Sequence, residues 1–154
     1  MIFTMTIEYF EEHLREYAQL MRLHRPIGIY LLLWPTLWAL WLAGNGQPPR
    51  GIVLIFVVGV ALMRSAGCVI NDIADRDFDP KVARTRDRPL AAGRVSLSEV
   101  VGLAAVLCLL AFALVLTQNA LTVQLSFVGL ALAISYPFMK RIHSLPQINL
   151  GMAF

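Results

Sequence analysis

The sequence contains few charged residues and few cysteines. Asp, Glu, Lys and Arg make up 15% of the 154 residues, whereas apolar residues make up 58%, which is more than an ordinary soluble domain contains. The mean hydropathy is +0.66. Cys68 and Cys108 both lie inside apolar segments, which argues against a disulfide framework. The composition therefore predicts an integral membrane protein that contacts membrane lipid, and we expect no nucleic-acid partner.

The N-terminus lacks the pattern of a signal peptide, so we expect the mature chain to begin near Met1. Four glutamates stand where a basic region and an apolar core would be required: Glu8, Glu11, Glu12 and Glu16. Apolar residues recur among them at spacings of three and four: Ile7, Phe10, Leu14, Tyr17 and Met21. This periodicity predicts an amphipathic helix that lies on the membrane surface within residues 1–25.

Four longer apolar runs follow, and each is bounded by proline, glycine or polar residues. They predict membrane-spanning helices at residues 27–43, 51–70, about 97–116 and about 120–136. Pro35 predicts a bend in the first of them, and residues 148–154 look like the start of a fifth span. Residues 26–154 are therefore predicted to form the N-terminal part of an all-α, polytopic transmembrane helical bundle, truncated relative to a longer protein.

Positive charge is concentrated in alternate connections, which predicts the orientation. The connection between spans two and three holds six basic residues and the N-terminal flank holds three, while the connections on the other side hold only Arg50. Because Lys and Arg are enriched on the cytoplasmic side, the N-terminus and the second connection are predicted to be cytoplasmic. We expect the membrane to be a bacterial inner membrane.

The most informative segment is residues 71–79, Asn-Asp-Ile-Ala-Asp-Arg-Asp-Phe-Asp, at the end of the second span. If the helix continues through it, a rotation of about 100° per residue places Asp72, Asp75 and Asp79 on one face beside Asn71, with Asp77 on the opposite face. Pro80 disfavours helical geometry at the preceding residue, so a loop position for Asp79 stays open. A helix C-terminus disfavours carboxylates. The cluster therefore predicts a cation partner, which we expect to be Mg²⁺ holding a phosphate.

Basic residues accompany this acidic segment. Arg64 lies two turns earlier on the same span and is predicted to point along the helix towards Asn71 and Asp75, with snorkelling to the surface as the alternative. The following residues 81–90 contain cations suited to a diphosphate, although membrane anchoring also explains them. Tyr136 and Lys140 stand four apart after the fourth span. Their spacing is found in short-chain dehydrogenases, but no glycine-rich fingerprint precedes them, and an interfacial anchor is the alternative.

The segments around the acidic motif resemble the UbiA family of intramembrane aromatic prenyltransferases. The resemblance is carried by residues 64–79, with the pattern Asn-Asp-x-x-Asp-x-x-x-Asp, and by residues 84–93, an arginine-rich loop containing Arg-Pro. Residues 25–28, 33–40, 136–141 and 145–147 are most similar to the branch that prenylates 4-hydroxybenzoate in ubiquinone synthesis. A CDP-alcohol phosphotransferase is excluded because its Asp-Gly-x-x-Ala-Arg stretch is missing.

The resemblance implies an enzyme with nine spans around a membrane-embedded cavity, in which two Asp-rich motifs bind a polyprenyl diphosphate through Mg²⁺. It implies that the metal ligands are Asn71, Asp72, Asp75 and Asp79. The implied catalytic residues are Asp72, Asp75, Lys140 and Arg141. The implied substrate-binding residues are Arg64, Asn71, Asp79, Arg84, Arg88 and Tyr136. Arg64 or Arg141 would hold the benzoate carboxylate.

The implied reaction is transfer of the polyprenyl group to the ring carbon ortho to the hydroxyl of 4-hydroxybenzoate. The second Asp-rich motif would lie beyond residue 154, so we expect this chain alone to be inactive. Another branch of the family, serving menaquinone or haem O synthesis, is an alternative, as is a noncatalytic membrane protein or carrier that binds divalent cations. The arginine-rich loop argues against a path for cations.

Overall fold

The computed structural model describes residues 2–139, with side chains from residue 11 to residue 135. Within this range the chain folds into five α-helices and one short 3-10 turn, without a β-strand. The helices are α1 (Ile2–Leu20), α2 (Ile27–Ala43), α3 (Arg50–Asp75), α4 (Leu97–Val115) and α5 (Ala120–Met139). The 3-10 turn, Asp79–Lys81, lies in the α3–α4 loop, residues 76–96. The predicted all-α class is confirmed.

Local sequence signals explain the helix boundaries. α2 begins directly after Pro26, which suits a first helical turn because it lacks an N–H. It ends at Gly44, and Asn45 and Gly46 then adopt positive φ angles of 49° and 82°, which reverse the chain. Asparagine and glycine tolerate this left-handed conformation best. The bounds of α2 agree with the predicted first span.

α3 is longer than the predicted second span and contains the first half of the acidic motif. It runs through Asp75, and Phe78 donates its backbone N–H to Asp75 O before the 3-10 turn begins at Asp79. The assumption of a helix that continues through Asp79 is therefore wrong. Pro80 explains the interruption, because the residue before a proline is biased away from helical geometry.

α3 is the central helix and contacts each of the other four helices. The buried core lies at the end of the bundle where α3 ends and α4 begins, which is called the motif end below. Its members come from α1, α3, α4 and the α3–α4 loop: Leu20, Ala66, Val69, Val95, Val100, Ala104 and Leu107. Leu20 is fully buried, so the C-terminal turn of α1 packs into the bundle. A location of α1 on the membrane surface stays a prediction.

The outer surfaces of α2, α4 and α5 are strongly apolar. Trp34, Trp38 and Leu42 of α2 are 56%, 64% and 80% exposed. Among the described residues, α3 and α4 are long and apolar enough to cross a membrane, whereas α2 and the described part of α5 are apolar but shorter. The apolar surface fits a lipid environment. The count of four complete spans and the bend at Pro35 stay predictions, and residues 148–154 lie outside the described residues.

Candidate active site at the end of α3

Two carboxylates of the acidic motif are buried together at the motif end. The side chains of Asp72 and Asp79 are 3% and 8% exposed. Arg88 of the α3–α4 loop joins them, because its Nη1 donates to Asp72 Oδ1 at 3.0 Å and to Asp79 Oδ2 at 2.8 Å. Since both oxygens accept from one nitrogen, the two carboxylates are held close to each other. Charge-assisted bonds of this kind are among the strongest in proteins.

A second guanidinium reaches the same site from the turn after α1. Arg22 Nη2 donates to Asp72 Oδ1 at 2.9 Å, so that oxygen accepts from two arginines. Arg22 has a φ of 54°, a left-handed conformation that non-glycine residues adopt rarely and at a cost of about 1–3 kcal/mol. The residue with the strained backbone, Arg22, is thus the one whose side chain pairs with the buried carboxylate of Asp72.

The other members of the motif lie around this pair. Asn71 Nδ2 donates to Asp75 Oδ2 at 3.2 Å, one helical turn away. Asp75 is half-buried. Asp77 follows the end of α3, and its side chain is 76% exposed and lies 3.6 Å from Arg76, its neighbour in sequence. The site therefore separates into a buried pair, Asp72 and Asp79, an adjacent half-buried carboxylate, and an exposed one.

The α3–α4 loop is fixed to the motif by a buried hydroxyl. Thr85 is buried, and its Oγ1 donates to the backbone carbonyl of Asp79 at 3.0 Å. The same hydroxyl lies 3.4 Å from Val82 O. This contact closes the loop around the 3-10 turn and brings Arg88, three residues later, to the acidic pair.

Arg64 lies about two turns before Asp72 on α3 and contacts α2. Its Nη1 donates to the thiol of Cys68, and a Cβ atom at Gly28 would come within 3.0 Å of its guanidinium. The guanidinium therefore lies between α3 and the start of α2 and is half-buried. The sequence predicted that it points towards Asn71 and Asp75; it extends in that direction only as far as Cys68, and it leans against α2.

The remaining predicted site residues are not brought to the acidic pair by a described contact. Arg84 lies in the α3–α4 loop and is exposed. Tyr136 lies in the last turn of α5, where the structure describes the backbone only. Lys140 and Arg141 lie outside the described residues. The roles of these four residues stay predictions.

The donor chemistry of the motif fits Mg²⁺, which prefers carboxylate and amide oxygens. Among the described side chains, however, no three His, Cys, Asp or Glu residues are arranged to hold a metal ion. In the acidic pair, one oxygen of each carboxylate accepts hydrogen bonds from arginine, namely Asp72 Oδ1 and Asp79 Oδ2. The residues fit the metal in type, and the two guanidiniums neutralise the carboxylates that would ligate it.

Sequence reasoning missed Arg22 and Thr85. From the sequence, Arg22 is only one of the three basic residues of the N-terminal flank, because nothing in its spacing links it to a motif fifty residues later. The available signal was its position just after a periodic helix and just before Arg25-Pro26. Thr85 stands among arginines and is the buried hydroxyl of the loop.

An apolar helical bundle with a buried carboxylate pair and two guanidiniums at one end defines a membrane protein with a charged polar site. Its sequence matches the model of the UbiA prenyltransferase family over residues 32–154. The chain therefore belongs to the UbiA prenyltransferase family, and it is an integral membrane protein.

Curated relatives of high identity carry one name. The chain is 66% identical to the 4-hydroxybenzoate octaprenyltransferase of Nitrosococcus oceani over 138 residues, which are 90% of this chain and 48% of the relative. It is 64% identical to the 4-hydroxybenzoate octaprenyltransferase of Thiobacillus denitrificans over 143 residues, which are 93% of this chain and 49% of the relative. The chain thus spans about half the length of the curated relatives it matches.

A solved structure has the same fold. The apo structure of a UbiA homolog from Aeropyrum pernix K1 superposes with a TM-score of 0.66 at 31% sequence identity. The match covers 92% of this chain and 46% of that one. The predicted UbiA-like helical fold is confirmed by this similarity.

Proposed function

We propose that this chain supplies half of the active site of an enzyme that prenylates 4-hydroxybenzoate. The donor would be a polyprenyl diphosphate, and the new bond would form at the ring carbon ortho to the hydroxyl. The observation that carries the proposal is the buried Asp72–Asp79 pair held by Arg22 and Arg88. The names of the relatives supply the acceptor and the donor class.

The charges of the site suit a metal diphosphate. Asp72, Asp79, Arg22 and Arg88 sum to zero, and the adjacent Asp75 adds one negative charge. Asn71, Asp72, Asp75 and Asp79 would hold Mg²⁺, which when bound would neutralise the diphosphate and stabilise it as a leaving group. If the carboxylates turn to a metal, the two guanidiniums lose their partners and become available to phosphate oxygens, which arginine binds with two donors.

The reaction then follows from these charges. The C–O bond between the allylic carbon and the diphosphate breaks, and its electron pair leaves with the diphosphate. The electron-rich ortho carbon of 4-hydroxybenzoate bonds to the allylic carbon, and the ring proton at that position is lost to restore aromaticity. Arg22 and Arg88 would stabilise the charge on the departing diphosphate, which is the main electrostatic requirement of the step.

The acceptor carboxylate needs a separate cation. Arg64 is the candidate in the described part of the bundle, because it is half-buried beside α2 and lies about two turns before Asp72 on α3. A carboxylate bound there would place the ring between Arg64 and the diphosphate site. Arg141, which lies outside the described residues, remains the other candidate.

The experiment uses a chimera in which residues 1–154 replace the matching half of the Nitrosococcus oceani relative. We expect Mg²⁺-dependent transfer from geranyl diphosphate, a short soluble allylic donor, to 4-hydroxybenzoate. Asp75→Ala should abolish transfer, whereas Asp77→Ala, at the exposed carboxylate, should keep at least half of it. Equal losses from both substitutions would refute the division of the motif. A folded chimera without transfer would refute the proposal.

Binding of Mg²⁺ separates the enzyme from a noncatalytic cation-binding protein. For the enzyme, Mg²⁺ binding should tighten at least tenfold when inorganic diphosphate is added, because metal and diphosphate share one site. Calorimetry on the purified chain in detergent measures both affinities. Tight Mg²⁺ binding that does not change with diphosphate would favour the noncatalytic protein.

A further inference from the structure

Arg94 connects α1 to the α3–α4 loop through one side chain. Its Nε donates to Glu16 Oε1 of α1 at 2.9 Å, and its Nη2 donates to the backbone carbonyl of Asp87 at 2.9 Å. The same Nη2 lies 3.4 Å from Gln19 Oε1. A planar guanidinium presents its donors in a fixed fork, so α1 and the α3–α4 loop are joined with a defined geometry.

The backbone before Arg94 is shaped to make this contact. Gly93 has a φ of 69°, a conformation that favours glycine. The N–H of Gly93 donates to Leu90 O at 3.2 Å, and the N–H of Arg94 donates to Pro89 O at 2.9 Å. The chain therefore folds back over residues 89–94, and the Arg94 guanidinium reaches the carbonyl of Asp87.

The position of that carbonyl matters because the peptide bond of Asp87 leads directly into Arg88. Fixing the Asp87 carbonyl fixes the orientation of the peptide plane that precedes Arg88. The Arg88 side chain then reaches Asp72 and Asp79 at 3.0 and 2.8 Å. We infer that Arg94 is a positioning residue, anchored on Glu16, that holds the loop so that Arg88 stays at the acidic pair. The consequence for donor binding rests on the function proposed above.

The Glu16–Arg94 pair contributes more to the geometry of the α3–α4 loop than to the stability of the chain. The two side chains are 20% and 40% exposed, and ion pairs at such exposure contribute little to stability. Within the described residues, Glu16 Oε2 is buried and has no hydrogen-bond partner. The Glu16 carboxylate is therefore held through Oε1, which accepts from Arg94. The competing explanation is that Arg94 is simply one of the basic residues that orient a membrane protein.

Hydrogen exchange on the purified 154-residue chain in detergent tests the positioning directly. Arg94→Lys keeps the charge and loses the fork, so it should raise exchange in residues 82–92 about tenfold, as should Arg94→Gln. Arg86→Gln is the matched control. Arg86 is exposed, and its Nε lies 3.9 Å from Asp87 Oδ2. This substitution should leave exchange in residues 82–92 unchanged. A lysine variant with unchanged exchange would overturn the inference in favour of a simple orienting charge.

Steady-state kinetics of the chimera test the consequence for the donor. Arg94→Lys should lower kcat/KM for geranyl diphosphate about tenfold, because it displaces Arg88, the guanidinium proposed to bind the diphosphate and to stabilise its charge as it leaves. Glu16→Gln keeps an acceptor oxygen and should have a smaller effect. Raised exchange with an unchanged kcat/KM for the donor would overturn the consequence for donor binding. Failure of the unsubstituted chimera to turn over would instead count against the proposed function.

Discussion

At the residue scale, the site is governed by the cost of burying charge. Asp72 is almost fully buried, and a buried carboxylate is tolerated only when it is paired. Two arginines from different segments converge on it, so the carboxylate is neutralised without a metal. Removing either arginine would leave part of this buried charge uncompensated, at a cost of up to about 3–5 kcal/mol.

The sequence predicted which carboxylates belong together but not how they are held. Helical rotation grouped Asp72, Asp75 and Asp79 and set Asp77 apart, but α3 ends at Asp75, so Asp79 meets Asp72 from the 3-10 turn, through Arg88, and not from the face of the helix. Arg22 could not be predicted as a partner, because the contact depends on a strained turn and on tertiary packing between residues fifty positions apart. Periodicity describes one element and contains no information about such a distant contact.

One prediction at this scale concerns Gly28, whose missing side chain makes room for Arg64. Gly28→Ala would place a Cβ against the guanidinium, and the flexible end of Arg64 would have to move. We expect the KM of the chimera for 4-hydroxybenzoate to rise at least fivefold, with the KM for geranyl diphosphate unchanged, because the arginine beside α2 is the proposed carboxylate ligand. Steady-state kinetics with each substrate varied in turn measure this difference.

Gly51→Ala is the matched control, since nothing lies within 4 Å of a Cβ at that position at the start of α3. It should leave both constants unchanged. If Gly28→Ala affected the two substrates equally, Arg64 would not be the acceptor ligand, and Arg141 would become the candidate.

At the scale of the elements, prolines, glycines and caps determined the boundaries that the sequence predicted well. Apolar runs between breakers identified α2, α4 and α5 to within a few residues. The predicted second span stops at residue 70, whereas α3 runs through Asp75, because its last turns carry the polar residues of the motif and an apolar window ends before them. A helix that ends in functional polar residues is therefore underestimated by hydropathy alone, and the underestimated part is where the site begins.

The N-terminus of α4 provides a prediction at this scale. Ser96 Oγ accepts from Glu99 N, and Glu99 Oε2 accepts from Ser96 N at 2.7 Å, which forms a capping box. Glu99 Oε1 also accepts from the hydroxyl of Tyr17 at 3.2 Å, so the cap joins α1 to α4. Ser96→Ala should lower the stability of the chain by about 1 kcal/mol.

Thermal unfolding in detergent, followed by circular dichroism, measures this loss. Ser126→Ala is the matched control, because Ser126 lies inside α5 and donates to Val123 O three residues earlier; it should leave Tm within a degree. A Tm for Ser96→Ala equal to that of the control would mean that the capping box does not stabilise the chain.

At the scale of the whole molecule, the chain presents one charged site and several apolar surfaces. The site is closed at the motif end by α1 and the α3–α4 loop, through Arg94 and Glu16 on one side and Tyr17 and Glu99 on the other. The outer faces carry large exposed apolar side chains, which lipid can cover. The described residues therefore place the charged site at one end, while the curated relatives are about twice as long as this chain.

The difference in length leads to a prediction about activity. The chain provides one acidic motif, whereas the resemblance to the family implies that two such motifs together bind the metal and the diphosphate. We expect the purified 154-residue chain in lipid nanodiscs to transfer no geranyl group to 4-hydroxybenzoate in the presence of Mg²⁺. Adding the remaining half of the Nitrosococcus oceani relative as a separate polypeptide should restore transfer, because spanning helices associate through packing without a covalent connection. The Asp75→Ala chain, reconstituted with the same half, should not restore it, and this variant controls for contamination by host enzyme. Clear turnover by the 154-residue chain alone would contradict the prediction and place a complete site within these residues.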